Sequence, residues 1–435
     1  MNISYAPEYD ACVESGLYDR LTGANLLIPH TESDDAGMMP GKYRILMPEE
    51  IPYVSYPYEW SFSQLKDAAL LTLEIQKTAL ESGLSLKDAT AYNVQFHKGR
   101  PIFIDSLSFE RYIEGEPWIA YGQFCQHFLA PLTLMTVSDL RLRQLGSRYI
   151  DGLPLDLVSG MLPISTYFNY SILAHIHLHA RSQVKHQDAA KTQNTTAGSK
   201  LSKSMLASLI TSMTRAVERL SVKDVPTEWG EYYLDTNYSE EAMQHKETIL
   251  ENFANNYLGP DKIVHDLGAN TGRFSRIVAK HAKTVIAHDI DEMAVERHYR
   301  DIKSRGATNI LPLILDLANP TPAIGWNLKE RSSFPDRAKG TTGVALALVH
   351  HLCISNNVPL QKLAQFLFEL FETLIIEFVP KEDSQVQRLL ATRRDIFDEY
   401  DVAGFEQSFS RYFLIRERCA VNESSRIMYA MTRRV

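Results

Sequence analysis

One stretch constrains this chain more than any other: His265-Asp266-Leu267-Gly268-Ala269-Asn270-Thr271-Gly272-Arg273-Phe274. It follows the apolar pair Ile263-Val264 and leads into a helical pattern through Ile277, Val278 and Ala279. An apolar strand that turns through glycines into a helix N-terminus is a nucleotide-binding device. The glycines let backbone approach the ligand closely, and the first helical N–H groups are free to bind it. The stretch therefore predicts a Rossmann-like domain with an adenosine cofactor against the turn.

From Lys262 onward the pattern alternates strand and helix. Strands are expected to end at Asp266, at His288-Asp289-Ile290-Asp291, at Asp316 and at His350-His351. A fifth should end at Glu377-Phe378-Val379-Pro380, and two more cover Tyr412 to Arg416 and Ile427 to Met431, after a helix from Ser384 to Tyr400. Polar residues thus collect at strand C-terminal ends, where open α/β sheets bind ligands. A dinucleotide site wants G-x-G-x-x-G, whereas here Asn270 stands in place of the middle glycine of Gly268-x-x-x-Gly272. The pair Tyr299-x-x-x-Lys303 lies directly after the second strand, the wrong place for a dehydrogenase couple.

The ordered pattern D-x-G-x-N-x-G, an acidic residue closing the second strand and an Asp closing the third resembles class I S-adenosylmethionine-dependent methyltransferases over roughly residues 227–435. That resemblance implies an α/β fold: a Rossmann-like methyltransferase sheet with helices on both faces, preceded by a mostly helical α+β N-terminal domain. It implies S-adenosylmethionine as cofactor, held by Asp266, Gly268, Ala269, Asn270, Gly272, Asp289, Ile290, Asp316, Leu317 and Val349. Asp266 would orient the turn or a water near the cofactor's amino group; a turn-capping aspartate is the plainer account of that residue alone. Asp289 would accept from both ribose hydroxyls, since a carboxylate has two acceptor oxygens for a vicinal diol. It lies 21 residues after Gly268, close to the expected spacing of about 20. Ile290 would pack on adenine, and Asp316 would accept from its exocyclic amine.

Methyl transfer needs an acceptor aligned with the sulfonium and often a base. His350 and His351 follow the fourth strand and are the catalytic candidates, because an imidazole titrates near neutral pH. Their plainer reading is one local hydrogen bond and one pocket wall. Glu377 and Lys381 are further acceptor-side candidates, and Asn356 and Asn357 could shape a loop over the site.

Ahead of this domain, Ser61 to Ser82 has a helical period with Leu65, Ala68, Ala69, Leu71, Thr72, Ile75, Ala79 and Leu80 on one face, Ser63 as cap and Gly83 as stop. Asp88-x-x-x-x-Asn93, a hairpin turning at Lys98-Gly99 and then Asp105 resemble the catalytic lobe of protein-kinase-like phosphotransferases. On that resemblance Asp88 would be the base, and Asn93 and Asp105 the Mg²⁺ ligands. Against it, Ser106-Leu107 replaces Phe-Gly, Leu86-Lys87 replaces His-Arg, and no Gly-rich phosphate loop precedes. The alternative is an accessory domain whose polar residues cap turns. Residues 115–183 read as helical, and His175 and His179 would share a helix face as metal ligands do, but no Glu lies between them; no metal is expected.

The segment 184–204 is almost free of apolar residues and reads as a linker between an N-terminal domain (1–183) and a helical lead-in or lid (205–260), followed by the methyltransferase domain (261–435). The lead-in carries an aromatic cluster, Trp229, Tyr232, Tyr233 and Tyr238, and a helix capped by Ser239. A formal charge of −8 argues against a general nucleic-acid surface. No stretch spans a membrane, no signal peptide is evident, and the scattered Cys12, Cys125, Cys353 and Cys419 fit a reducing cytoplasm. The whole chain is similar to a bacterial group of nodulation-protein-like methyltransferases, which implies a small-molecule or glycan acceptor. The alternatives are a bifunctional protein coupling a kinase-like lobe to methylation, and a non-catalytic adenosylmethionine-binding protein.

Overall fold

The structure, a computed structural model, describes residues 1–33, 41–182, 201–227 and 239–434 of the chain. The aromatic cluster Trp229 to Tyr238, and all of the linker except 201–204, lie outside the described residues. The chain divides into two compact units, Met1–Lys223 and Asp224–Val435.

The first unit is α+β. Its strands are β1 (His30–Ser33), β2 (Ile45–Pro48), β3 (Leu84–Leu86), β4 (Val94–His97), β5 (Arg100–Phe103) and β6 (Phe109–Arg111), paired antiparallel as β1–β2, β3–β6 and β4–β5. Lys98 and Gly99 both take positive φ between β4 and β5, which suits a two-residue hairpin turn. Helix α1 (Phe62–Glu81) buries the expected apolar face. Its cap is Ser61 and not Ser63: Ser61 Oγ accepts from the Gln64 amide, and Gln64 Oε1 accepts from the Ser61 amide. This reciprocal capping box starts the helix two residues earlier than the periodicity suggests.

Helix α2 (Lys203–Arg219) packs on α1, and Lys66 Nζ donates to the carbonyls of Glu218 and Leu220 at 2.8 Å each. Residues 205–219 therefore belong to the first unit and not to a lead-in of the second. The segment 115–182 is helical only in short pieces, among them two π-turns at Cys125–Leu129 and Leu173–Leu178.

The second unit opens with α3 (Glu240–Tyr257), capped as expected by Ser239 Oγ on the Ala242 amide. There follow β7 (Ile263–Leu267), β8 (Thr284–Asp289), α4 (Glu292–Arg305), β9 (Ile310–Ile314), β10 (Thr341–Ala345), α5 (Leu360–Leu370), β11 (Phe371–Phe378), α6 (Val402–Ser410), β12 (Phe413–Ala420) and β13 (Ile427–Arg433). The sheet order is β12-β13-β11-β10-β7-β8-β9. Strands β7 to β11 run parallel, while β13 is antiparallel to both β11 and β12. Helices cover both faces, giving a Rossmann-like arrangement.

Strands β7 to β10 are buried almost throughout, β9 included although it lies at one edge, whereas β12, at the other edge, alternates half-buried and exposed residues after Phe413. Pro312 sits in β9, the opposite edge, where a missing N–H is tolerated. The connection leaves β7 for β8 and β9 on one side and returns to β10 on the other. The gap between the C-terminal ends of β7 and β10 is therefore the topological switch point, where such sheets form their crevice.

Two elements stop well short of expectation. The run Val344 to Val349 looks like one strand, yet β10 ends at Ala345 because Ala347 turns with φ +52°. The helix from Ser384 stops at Leu390, well short of Tyr400.

Within the sheet, His265 of β7 and His288 of β8 lie side by side, Nδ1 to Nε2 at 2.9 Å with nearly parallel rings. The Phe334 ring meets both edge-on. Burial pushes His265 down to about 3 and His288 well below the ordinary range, so both are neutral imidazoles in the core.

Candidate functional site

The glycine turn is held by β8. The amides of Gly268 and Ala269 both donate to the His288 carbonyl, at 2.9 and 2.8 Å. Left-handed backbone at Gly268 (φ +77°), Asn270 (+51°) and Gly272 (+78°) then carries the chain over the strand ends into the short helix Ser275–Val278.

Asp289, at the end of β8, closes the turn from the other side. Its Oδ2 accepts from the Asn270 amide at 2.7 Å and its Oδ1 from the Asp291 amide at 2.9 Å. Asp291 in turn caps α4 through the amides of Met293 and Ala294. Burial raises the Asp289 carboxyl to about 6, and the two backbone donors oppose that rise. Asp316 follows β9 and bonds the Ala318 amide at 2.8 Å.

These pieces border one cleft, open to solvent, with about 1030 Å³ of empty space when the open solvent at its mouth is included. Six of the expected cofactor residues line it: Gly268, Asn270, Asp289, Ile290, Asp316 and Leu317. Ile290 is half exposed there.

Four others support the cleft without lining it. Asp266 is buried, with Oδ2 accepting from Ser275 Oγ at 2.6 Å, and burial raises it to about 6. It ties the turn to the helix that follows, which is the turn-capping account of this residue. Ala269 is buried and spends its amide on β8. Gly272 presses on His298: a Cβ there would lie 2.0 Å from Nε2. Val349 belongs to the apolar core with Leu267, Ala345 and Leu352.

The histidine pair also separates. His351, at the start of the π-turn His351–Ser355, lines the cleft, whereas His350 is 1% exposed and sits behind it. Their ring centroids are 4.0 Å apart. Burial holds His350 well below its usual range, with His351, Arg426 and Lys246 adding to the effect. His351 is pushed to about 4 by burial and Arg426. Of the two candidate bases, His351 is the one at the cleft wall, and His350 is not among the lining residues.

Several lining residues escaped sequence reasoning: Lys246, Phe274, Leu346, Ala347, Leu348 and Leu352. Lys246 of α3 is buried, and its Nζ donates to Glu377 Oε2 at 2.7 Å. Burial lowers the ammonium's pKa and Glu377 opposes this. Nothing in a helical period marks a lysine as buried, so only packing revealed it. Glu377, fully buried, faces Lys246 and does not line the cleft, and Lys381 pairs with Asp395 outside it. Asn356 lines the cleft, as expected of a loop over the site.

In the first unit the kinase-like residues are spent on local turns. Asp88 accepts from the Thr90 amide, and Asp105 accepts from the Leu107 amide and Ser108 Oγ, whose oxygen also faces Asn93 Nδ2 at 3.4 Å. The accessory-domain reading accounts for these residues, and the kinase-like resemblance is not supported. His177 has hydroxyl partners at both ring nitrogens, Ser159 and Thr166, while His175 bonds Tyr121 and His179 stacks on it. Among the described residues no group of three His, Cys, Asp or Glu side chains is placed to hold a metal ion.

No protein-family model matches the chain. Among solved structures, the chain is similar to the N-methyltransferase NodS of Bradyrhizobium japonicum WM9 in complex with S-adenosyl-L-homocysteine. There the identity is 12%, the TM-score 0.35, and the match covers 47% of this chain and 92% of that one. It is also similar to magnesium protoporphyrin IX methyltransferase of Synechocystis PCC 6803, at 15% identity and TM-score 0.33 over 47% of this chain and 93% of that one. Both likenesses are remote, and the fold assignment rests on the strand order itself. A curated relative is much nearer: nodulation protein NoeA of Rhizobium meliloti (strain 1021) is 34% identical over 394 residues, covering 90% of this chain and 82% of that protein. The chain belongs to the family of nodulation protein NoeA.

Proposed function

We propose that the second unit is an S-adenosylmethionine-dependent methyltransferase acting on a small-molecule or glycan-type acceptor. The observation that carries this reading is Asp289. Each of its carboxylate oxygens already accepts one backbone amide, and each retains acceptor capacity on a side chain that lines the cleft. Two such oxygens suit a vicinal diol, and Asp316 lies at the end of the next strand for an exocyclic amine. When bound, the cofactor supplies an electrophilic methyl on a sulfonium. The chain supplies the rest. Gly268 admits the ligand against bare backbone, Leu317 and Ile290 offer apolar contact, and Phe274 and Leu348 help line the same cleft.

On the acceptor side the only histidine facing the cleft, among the described residues, is His351. It is neutral at pH 7 and could take a proton as the acceptor reacts. No helix among the described residues is long and apolar enough to cross a membrane. Four free cysteines, three of them buried, suit a reducing cytoplasm.

The test is calorimetry with S-adenosylmethionine and S-adenosylhomocysteine on the wild type and Asp289→Ala. Micromolar binding that the variant loses is expected; equal binding by both proteins would sink the site assignment.

A further inference from the structure

One oxygen of Glu377 ties β11 to two segments of the cleft. Oε2 accepts from Lys246 Nζ on α3 and from the Ala347 amide just past β10, both at 2.7 Å, while Glu377 itself is the penultimate residue of β11. The other oxygen faces Arg426, whose Nη1 is 4.0 Å from Oε1, and Arg426 is held by Asp383 at 2.7 Å. All four charged side chains are buried and their formal charges cancel, which makes such a chain of charges tolerable in the interior.

Lys246 and Ala347 line the cleft and Glu377 does not. Ala347 is also the one residue of the β10 exit with left-handed backbone, φ +52°, a conformation that a Cβ disfavours. Leu346 and Leu348, on either side of it, are cleft walls, and His351 follows within one turn. The amide bond to Glu377 therefore fixes the turn that aims this wall, and a carboxylate is required because the same oxygen must also balance Lys246.

We propose that Glu377 is a positioning residue: it acts on the ligand only through Ala347 and Lys246, holding the β10 exit turn in its strained form. The ligand side of this inference rests on the methyltransferase reading above; the turn side does not.

The experiment pairs S-adenosylhomocysteine calorimetry with amide hydrogen exchange over residues 346–351 in the unliganded full chain. Glu377→Gln should speed exchange in that segment at least tenfold and weaken S-adenosylhomocysteine at least tenfold. Adding Ala347→Gly should return affinity to within a few fold of wild type, because glycine takes the left-handed turn without the tether. Simple loss of fold would give no such rescue. Lys246→Met, which leaves the amide bond in place, should leave exchange at 346–351 within about twofold of wild type; Glu377→Asp, whose shorter side chain draws the carboxylate away from the Ala347 amide, should speed exchange there as Glu377→Gln does and decides the question if Glu377→Gln does not fold. Unchanged exchange in Glu377→Gln, absence of rescue, or equally fast exchange in Lys246→Met overturns the proposal. A wild type that does not bind S-adenosylhomocysteine removes the cofactor reading, and the exchange arm still decides the role of Glu377.

Discussion

His298 of α4 fills the space that a side chain on Gly272 would need, its Nε2 2.0 Å from the position of such a Cβ. At the other glycine of the turn, Gly268, a Cβ would meet the Leu348 side chain at ordinary contact distance, Cδ1 nearest at 3.4 Å. Both glycines have φ near +78°, so backbone strain is common to the two and the difference between them is packing.

That contrast gives opposite expectations for two alanine variants. Gly272→Ala must displace a buried imidazole as well as strain the backbone, and should lose about 3 kcal/mol of stability. Gly268→Ala carries the backbone term alone, about 1–2 kcal/mol, but puts a methyl group on the cleft wall. Denaturant melts and adenosylhomocysteine calorimetry on both variants test this: stability should fall further in the first and, per unit of stability lost, affinity further in the second.

Asp289 sets a pH dependence. Its folded pKa of about 6 lies above the ordinary carboxyl value of 3.8. The stability it contributes is therefore complete below 3.8 and is lost as pH rises through about 6, a term on the order of 3 kcal/mol. Asp289→Asn removes that term, so the melting temperature of the variant relative to wild type should climb between pH 4 and pH 7. A difference independent of pH would contradict the assignment. Cofactor binding should run the other way, strengthening as the carboxylate ionises.

The buried histidines act with opposite sign. His265 and His298, both pushed to about 3, and His288 and His350, held well below 6.5, are neutral in the folded chain. Their contribution is complete above 6.5 and is lost as pH falls through that value toward 3. Four such groups outweigh the two raised carboxyls, Asp266 and Asp289. Thermal melts should show the second unit losing stability steadily from pH 7 to pH 4.

Phe334 seals the His265–His288 pair. Phe334→Ala should cost about 3–5 kcal/mol. By admitting water beside both rings it should also let them protonate in the folded chain, so that stability falls less steeply between pH 6.5 and pH 4 than in wild type, as a melt series at graded pH would read.

His351 offers a direct spectroscopic check. Its imidazole should remain neutral down to about pH 4, so side-chain NMR should show no titration of this residue between pH 6 and 8. A midpoint near 6.5 would mean that neither burial nor Arg426 depresses it.

The amino-acid order by itself determined the second unit's architecture. Apolar runs separated by helical periods, with Asp266, Asp289 and Asp316 at their ends, define a parallel sheet and its ligand edge, because a strand covered on both faces is written largely with apolar residues. The turn from Gly268 to Gly272 was legible for the same local reason: left-handed backbone calls for glycine or asparagine. What sequence could not separate was wall from support. His350 and His351 are adjacent in the chain, and so are Leu348 and Val349, yet one of each pair faces the cleft and the other is buried behind it. That division depends on where β10 stops, and it stops at Ala345 because a carboxylate 30 residues away captures the Ala347 amide. Lys246 likewise became a cleft residue only once α3 met β11. Tertiary structure decided these roles because burial and long-range hydrogen bonding, unlike strand and helix periodicity, leave no repeating mark along the chain.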